Sequence, residues 1–154
     1  MKATEIDIRQ VLQPVIGQRP TRAKLGVGSF LTFDFGPLSR EDHHLVGKWH
    51  LWIYQANWSL ADQQRQIVNA DSERRYIALA IPRLQETKLS DIEVDPASLE
   101  TVFRFGEFRL TVGRPDYLDD ADERDHYWMF FLPGKQVLSV GPAGVILGPS
   151  DRVR

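Results

Sequence analysis

The sequence predicts an α+β fold in which two similar units, each a helix followed by antiparallel strands, form one compact sheet-rich domain. The first observation is a repeated pattern. Residues 8–16 read Ile-x-x-Val-Leu-x-Pro-x-Ile and residues 33–36 read Phe-Asp-Phe-Gly; residues 76–84 (Tyr-x-x-Leu-Ala-x-Pro-x-Leu) and 103–106 (Phe-Arg-Phe-Gly) repeat this about 70 residues later. The second observation is that the aromatic residues concentrate in a few runs typical of strands.

The length fits a single domain spanning residues 1–154, with the two copies at about 4–68 and 71–148. A chain of 154 residues can bury roughly 70% of the surface that its unfolded state exposes, so it needs no covalent cross-links to fold. Hydrophobic residues make up 42% and charged residues 26%, which disfavours a disordered chain. We therefore expect a conventional hydrophobic core.

The first copy is predicted to begin with a helix over residues 5–16, because apolar residues keep helical spacing there until Gly17 stops them. Alternation then predicts a strand over 31–35 and another over 49–54. Between them, residues 37–47 are expected to form a polar loop. Trp58-Ser59-Leu60 is the expected hairpin partner, and residues 61–70 connect to the second copy.

The second copy is predicted to begin with a helix capped by Asp71 or Ser72 and ending near Pro82. An edge strand over 89–94 and a hairpin turning at 106–107 should follow. The remaining expected elements are an acidic loop over 116–125, strands at 127–132, 137–140 and 145–147, and a frayed tail from residue 148. The order of helix then meander disfavours a parallel doubly wound sheet.

Composition excludes several function classes. Nineteen basic and 21 acidic residues give a formal net charge of −2, so no overall field attracts nucleic acid or an anionic membrane. The chain has no cysteine, which rules out disulfides, iron–sulfur clusters and thiol chemistry. No signal peptide and no stretch of about 20 apolar residues is evident. We expect a cytoplasmic protein without cofactors.

The densest polar cluster lies between residues 116 and 126. Its acidic members are Asp116, Asp119, Asp120, Asp122, Glu123 and Asp125. Their spacing lacks the glycine and the terminal glutamate of a calcium-binding loop. A solvated loop is therefore the favoured interpretation, with weak cation binding and then a catalytic metal as the alternatives. We also keep these acidic residues as candidate binding residues for a partner.

Three histidines offer a different chemistry. His43, His44 and His50 lie near acidic residues in the sequence, and together with the acidic loop they could form a metal-assisted hydrolase site. No His-Glu-x-x-His pattern supports this. The favoured interpretation is that His43 and His44 are solvated and that His50 is partly buried in a sheet. We predict no metal site and keep the hydrolase as the alternative function.

Two further patterns are weak. Residues 26–29 (Gly-Val-Gly-Ser) lack the ending of a phosphate-binding loop and precede a strand, so they predict a turn. Asp34 and Glu107 lie near the two Phe-x-Phe-Gly segments and could pair as acid and base. Carboxylates at strand ends are more often solvated.

The aromatic run at residues 49–58 is the best candidate for recognition. Trp52, Tyr54 and Trp58 are its predicted binding residues, since Trp and Tyr dominate interface hot spots when they are exposed. Packing in the core nevertheless remains the favoured interpretation of these side chains. Exposure of Trp52 and Tyr54 would indicate a surface for a partner.

The hydrophobic spacing also resembles that of small uncharacterised bacterial proteins, some of which resemble immunity proteins of polymorphic toxin systems. The residues that carry this resemblance are Trp49-x-Leu51-x-Ile53, Trp58-Ser59-Leu60, Leu84, Phe103-x-Phe105-Gly106 and Tyr127-Trp128 with Val137-Leu138. It implies inhibition of a toxin by covering its active site and transfers no functional residue. We therefore expect a non-enzymatic domain that binds a protein partner or a second copy of itself.

Overall fold

The structure is a computed structural model that describes residues 6–28, 30–41, 43–54, 56–113 and 126–150. This part of the chain forms eleven strands, two short α-helices and one 3-10 helix. In chain order they are α1 (Ile8–Val11), β1 (Arg22–Leu25), β2 (Leu31–Glu41), β3 (His44–Ile53), β4 (Asn57–Ala61), β5 (Gln66–Asn69), α2 (Arg74–Ala80), the 3-10 helix (Ile81–Glu86), β6 (Leu89–Val94), β7 (Thr101–Phe105), β8 (Phe108–Gly113), β9 (Trp128–Leu132), β10 (Gln136–Gly141) and β11 (Gly144–Pro149).

The strands form two antiparallel sheets. Sheet A has the order β1-β2-β3-β9-β10-β11, and sheet B has the order β5-β4-β8-β7-β6. Each half of the chain contributes three consecutive strands to one sheet and its following strands to the other. The α+β fold predicted from the sequence is confirmed in this sheet-rich form.

The core lies between the two sheets. Alternate residues of each strand point inward, and rings from opposite sheets meet there: Phe33 stacks on Phe105 with centroids 5.5 Å apart, and Phe103 meets Trp128 edge-on at 5.2 Å. The indole N–H of Trp128 donates to Thr101 Oγ1 at 2.9 Å. These contacts join the sheets into one buried cluster that includes both Phe-x-Phe pairs.

The first helix is much shorter than the sequence predicts. Only Ile8–Val11 is α-helical, with Asp7 as the N-cap, and the chain continues in turns to Gly17, whose φ is +96°. The second helix begins at Arg74 rather than directly after Asp71 or Ser72, because the hydroxyl of Ser72 accepts from the N–H of Asn69 instead of capping the helix. Pro82 lies at the start of the 3-10 helix that follows.

Three segments expected to be irregular are strands. Residues 37–47 are not a loop, because β2 continues to Glu41 and β3 already begins at His44. The connection at 61–70 contains β5, and the expected tail at 148 belongs to β11, which ends at Pro149. The first two segments were not predicted as strands because many of their side chains are polar. An edge or extended strand needs only one apolar face.

Candidate recognition groove

The outer faces of the two sheets differ in chemistry. On sheet B the outward residues of β7 and β8 include Arg104, Arg109 and Thr111, which are exposed or half-buried. On sheet A, a second hydrophobic cluster of Met129, Phe131 and Val137 lies outside the main core, with Trp52 packed against it. The outer face of sheet A is therefore apolar around β9 and β10, whereas the outward residues of sheet B named above are polar.

An aromatic cluster lies at one end of this apolar face. The rings of Phe30 and Tyr54 are 4.6 Å apart between centroids, Trp52 and Tyr54 are 4.7 Å apart, and Phe30 meets Trp52 edge-on at 6.3 Å. All three side chains are half-buried. They present rigid aromatic surface to solvent at little cost in conformational entropy.

A buried carboxylate lies beside this cluster. Asp34 is fully buried, and the pairing of β2 with β3 places it opposite His50. Its Oδ1 is 2.6 Å from His50 Nδ1 and accepts from the Gly47 N–H at 2.9 Å, while its Oδ2 accepts from Arg22 Nε at 3.1 Å. Arg22 also donates to the carbonyl of Leu45 at 2.7 Å. The Asp34 carboxylate, on β2, is thus hydrogen-bonded to β1 through Arg22 and to β3 through Gly47 and His50.

Asp34 is held in its charged form. Burial alone would raise the pKa of its carboxyl group, but the hydrogen bond from His50, the Gly47 N–H, the charge of His50 and the hydrogen bond from Arg22 together leave that pKa below its usual value. An ionised Asp34 is an acceptor only, so His50 must carry a proton on Nδ1. The other ring nitrogen, Nε2, then lies on the side of the ring away from Asp34 and remains for other contacts.

Two glycines make this arrangement possible. A Cβ on Gly47 would lie 2.8 Å from Asp34 Cβ and 3.0 Å from the backbone of Phe35, closer than side chains pack. Gly36, with a φ of +77°, lies where the pairing of β2 and β3 shifts register between Phe35 and Leu38. The irregularity changes the course of the hairpin directly after Asp34.

A groove of about 640 Å³ lies over Phe30, Trp52 and His50, a volume within the usual range for binding sites. Its walls come from β1, β2, β3, β9 and the β1–β2 loop: Arg22, Lys24, Gly26, Val27, Phe30, Thr32, Glu41, His44, Leu45, Val46, His50, Trp52 and Phe131. The hydroxyl of Thr32 is buried and has no hydrogen-bond partner among the described residues. Arg74 fixes the β1–β2 loop by donating to the carbonyls of Gly26 and Gly28. The groove is therefore a concavity whose walls are held by hydrogen bonds.

The predicted binding residues divide into three groups. Trp52 lines the groove and Tyr54 flanks it. Trp58 is only 1% exposed, so it belongs to the core and offers no surface to a partner. The acidic residues of the loop at 116–125 lie outside the described residues.

The three predicted histidines lie in different settings. His43, with a φ of +69°, and His44 are exposed at the β2–β3 turn. His44 also lines the groove, as does His50, whose Nδ1 contacts Asp34. Within the described ranges, no group of three or more metal-ligating side chains occurs. Glu107 is exposed at the β7–β8 turn, in the other sheet from Asp34. The contact of Asp34 is with His50 rather than with Glu107.

Sequence reasoning missed the polar set of Arg22, Asp34 and His50. The signal was present in part, because Asp34 alternates with Phe33 and Phe35 in one predicted strand and His50 shares a face with Trp52 in another. The register that joins them was not available from the sequence, because it depends on the irregularity after Phe35.

No protein-family model, curated protein or solved structure matches this chain. Among the described residues, no helix has the length and apolar character needed to cross a membrane.

Proposed function

We propose that this protein is a non-enzymatic binding domain that recognises a partner protein through the groove on the outer face of sheet A. The observation that carries the proposal is the half-exposed cluster of Phe30, Trp52 and Tyr54 beside that groove. Aromatic residues in a concave, partly desolvated setting are the usual anchors of protein interfaces. Arg22 and His50, held by Asp34, supply fixed polar groups next to them.

A comparison of the two halves supports this assignment. We infer that the halves are copies of one unit, because Trp58 and Trp128 are 70 residues apart, as are Gly36 and Gly106. The strand pairings agree, since β4 pairs with β8 as β9 pairs with β3.

Under this duplication, matching positions on the two outer faces carry different residues. Arg104 occupies in β7 the place of Asp34 in β2, 70 residues earlier. Arg104 forms an ordinary surface ion pair with Glu93 at 2.7 Å, whereas Asp34 is buried among three donors. A face needed only for solubility would resemble that of sheet B. The divergence of sheet A indicates a specialised surface.

The more specific form of the proposal is an immunity-type inhibitor in a cytoplasmic setting. It adds the acidic residues at 116–125 as a surface complementary to a cationic toxin. Charge steering of that kind predicts a complex whose association slows strongly as salt rises. The aromatic groove would then supply contacts that resist salt.

The test is affinity capture from the native host lysate with three forms of the protein: wild type, Trp52→Ser and Arg109→Ala. Arg109 is an exposed outward residue of sheet B and serves as the matched control. Wild type and Arg109→Ala should retain one stoichiometric partner that Trp52→Ser loses. Equal capture by all three forms would refute the groove as the binding surface.

The alternative function is a metal-assisted hydrolase that uses His43, His44, His50 and the acidic loop. In the part of the chain that the structure describes, no observation favours it over binding, and His50 Nδ1 is already engaged by Asp34. Metal analysis of the purified protein tests this alternative. A stoichiometric metal lost on His50→Ala would support it.

A further inference from the structure

Strand β11 forms one edge of sheet A and differs from the three other edge strands, β1, β5 and β6. In β1, the Ala23 N–H donates to the side chain of Gln85 from the 3-10 helix at 3.0 Å. In β6, Leu89 exchanges backbone hydrogen bonds with Gly17 and Gln18. In β5, which is four residues long, the Asn69 N–H donates to Ser72. Each of these edges is short or is covered by neighbouring chain.

Strand β11 has no such cover from the described residues. In an antiparallel pair the backbone groups of successive residues point alternately toward and away from the partner strand. Gly141 and Gly144 flank the two-residue turn, and Val145 lies opposite Val140. The carbonyl of Val140 points to the other side of β10, where it accepts from the Tyr127 N–H at 2.8 Å. The pair of Val140 and Val145 is therefore not hydrogen-bonded, and the same holds for Leu138 and Leu147 two residues along. Val145 and Leu147 therefore direct their backbone N–H and C=O groups away from β10.

The side chains of β11 favour pairing with another strand. Residues 144–149 read Gly-Val-Ile-Leu-Gly-Pro and carry no charge. Ile146 is 45% exposed and Leu147 38% exposed. Natural edge strands usually carry a charge, a proline or a bulge that prevents association. In β11 the proline is Pro149, the last residue, and the strand before it has no such device, so Gly144–Gly148 is a surface for strand addition.

A groove adjoins the start of this strand. Its volume is about 690 Å³, and it lies between β6, α1 and the start of β11. Its lining is partly apolar, with Ile8, Ile92, Val94 and Val145, and partly charged, with Asp7, Arg9 and Glu93. The start of β11 therefore borders a groove rather than a covering segment of the described chain.

We propose that β11 pairs antiparallel with β11 of a second copy of this chain, around a two-fold axis beside Ile146. Val145 of each copy exchanges both backbone hydrogen bonds with Leu147 of the other, and the two Ile146 side chains meet on the outer face. The pairing joins two sheets A into one continuous sheet.

A second copy is the occupant that fits this edge best. An isologous contact requires a self-complementary surface, and an uncharged strand meets itself without like-charge repulsion. The recognition groove lies at the β1–β3 and β9 side of sheet A, so dimerisation through β11 leaves it open. The inference does not depend on the proposed function.

The test is the molar mass of the full-length protein, measured by light scattering and sedimentation over a range of concentrations. Wild type should show twice the mass of the 17.7 kDa chain. Leu147→Pro removes a backbone N–H that points away from β10, so it should raise the dimer dissociation constant at least about tenfold without loss of an internal hydrogen bond.

A second variant keeps the test decisive if Leu147→Pro fails to fold. Ile146→Lys places two like charges at the axis and should also produce monomer. Leu79→Lys, at a 73% exposed position of α2, is the matched control and should remain dimeric. A wild type that stays monomeric up to about 0.5 mM, far above typical interface dissociation constants, would overturn the proposal. A dimer that Ile146→Lys leaves unchanged would also overturn it.

Discussion

Replacing Asp34 with alanine should destabilise the protein far more than loss of a surface carboxylate. The substitution leaves the buried Gly47 N–H without an acceptor and removes the shared partner of Arg22 and His50. Breaking a buried ionic network costs about 3–5 kcal/mol. Arg22 and His50 keep 26% and 20% of their side-chain surface exposed, so both can turn toward water. We therefore expect a loss of about 3 kcal/mol in the free energy of unfolding.

For a chain of this size, that loss corresponds to a decrease in Tm of about 6–12 °C, measurable by calorimetry or circular dichroism. The control is Asp91→Ala, which breaks the exposed pair between Arg9 and Asp91 and should cost at most about 1 kcal/mol. Melting of Asp34→Ala within experimental error of Asp91→Ala would refute the reasoning. It would mean that the buried carboxylate contributes no more than an exposed one.

The other predictions concern pH dependence, a close backbone contact and a buried hydrogen bond. Because the folded pKa of Asp34 is lowered, its stabilisation is complete above the unfolded pKa and is lost as pH falls through the folded value. Lowering the pH from about 5 to about 3 should therefore reduce the free energy of unfolding of wild type more than that of Asp34→Asn. Equal reductions in the two proteins would contradict this. Gly47→Ala should cost about 1–3 kcal/mol in urea unfolding, because the new Cβ meets Asp34 at 2.8 Å. In Gly113→Ala the new Cβ would lie 3.5 Å from the nearest atom, so the free energy of unfolding should change little. Equal losses in Gly47→Ala and Gly113→Ala would exclude the steric explanation. Thr101→Val leaves the Trp128 indole N–H without an acceptor, and it should cost about 1–3 kcal/mol more than Thr111→Val, which is half-buried on the polar face.

The sequence was sufficient to predict the strands whose side chains alternate strongly. The prediction for residues 49–54 placed Trp52 and His50 on one face, and the structure agrees. The hairpin at 106–107 is also present, between β7 and β8. In these segments local periodicity and turn residues determine the outcome, because each strand has one clearly apolar face.

Elements that depend on distant partners were not predictable in this way. Strand β1 was not among the predicted strands; it pairs with β2, where Arg22 donates to Asp34 on the adjacent strand. The groove itself requires β9 to lie beside β3, although more than 70 residues separate the two in sequence. The first helix stopped early, and the chain after it pairs with β6, because Gly17 and Gln18 exchange backbone hydrogen bonds with Leu89. Long-range pairing outweighed local helical spacing there.

Only part of the aromatic cluster beside the groove could be identified from the sequence. Trp52 and Tyr54 were predicted from their residue type, but Phe30 was not, because it lies outside the regular alternation of β2. Its contacts with both rings complete the cluster. Trp58, of the same residue type as Trp52, lies in the core. Residue type alone does not distinguish an anchor from a core residue.

We propose that the partner protein binds the outer face of sheet A. Amide hydrogen exchange of the protein, measured alone and saturated with the partner recovered by affinity capture, tests this proposal. New protection should appear in β1, β3 and the β1–β2 loop, with the exchange of β7 and β8 unchanged. Protection confined to β7 and β8, or to neither sheet, would contradict it.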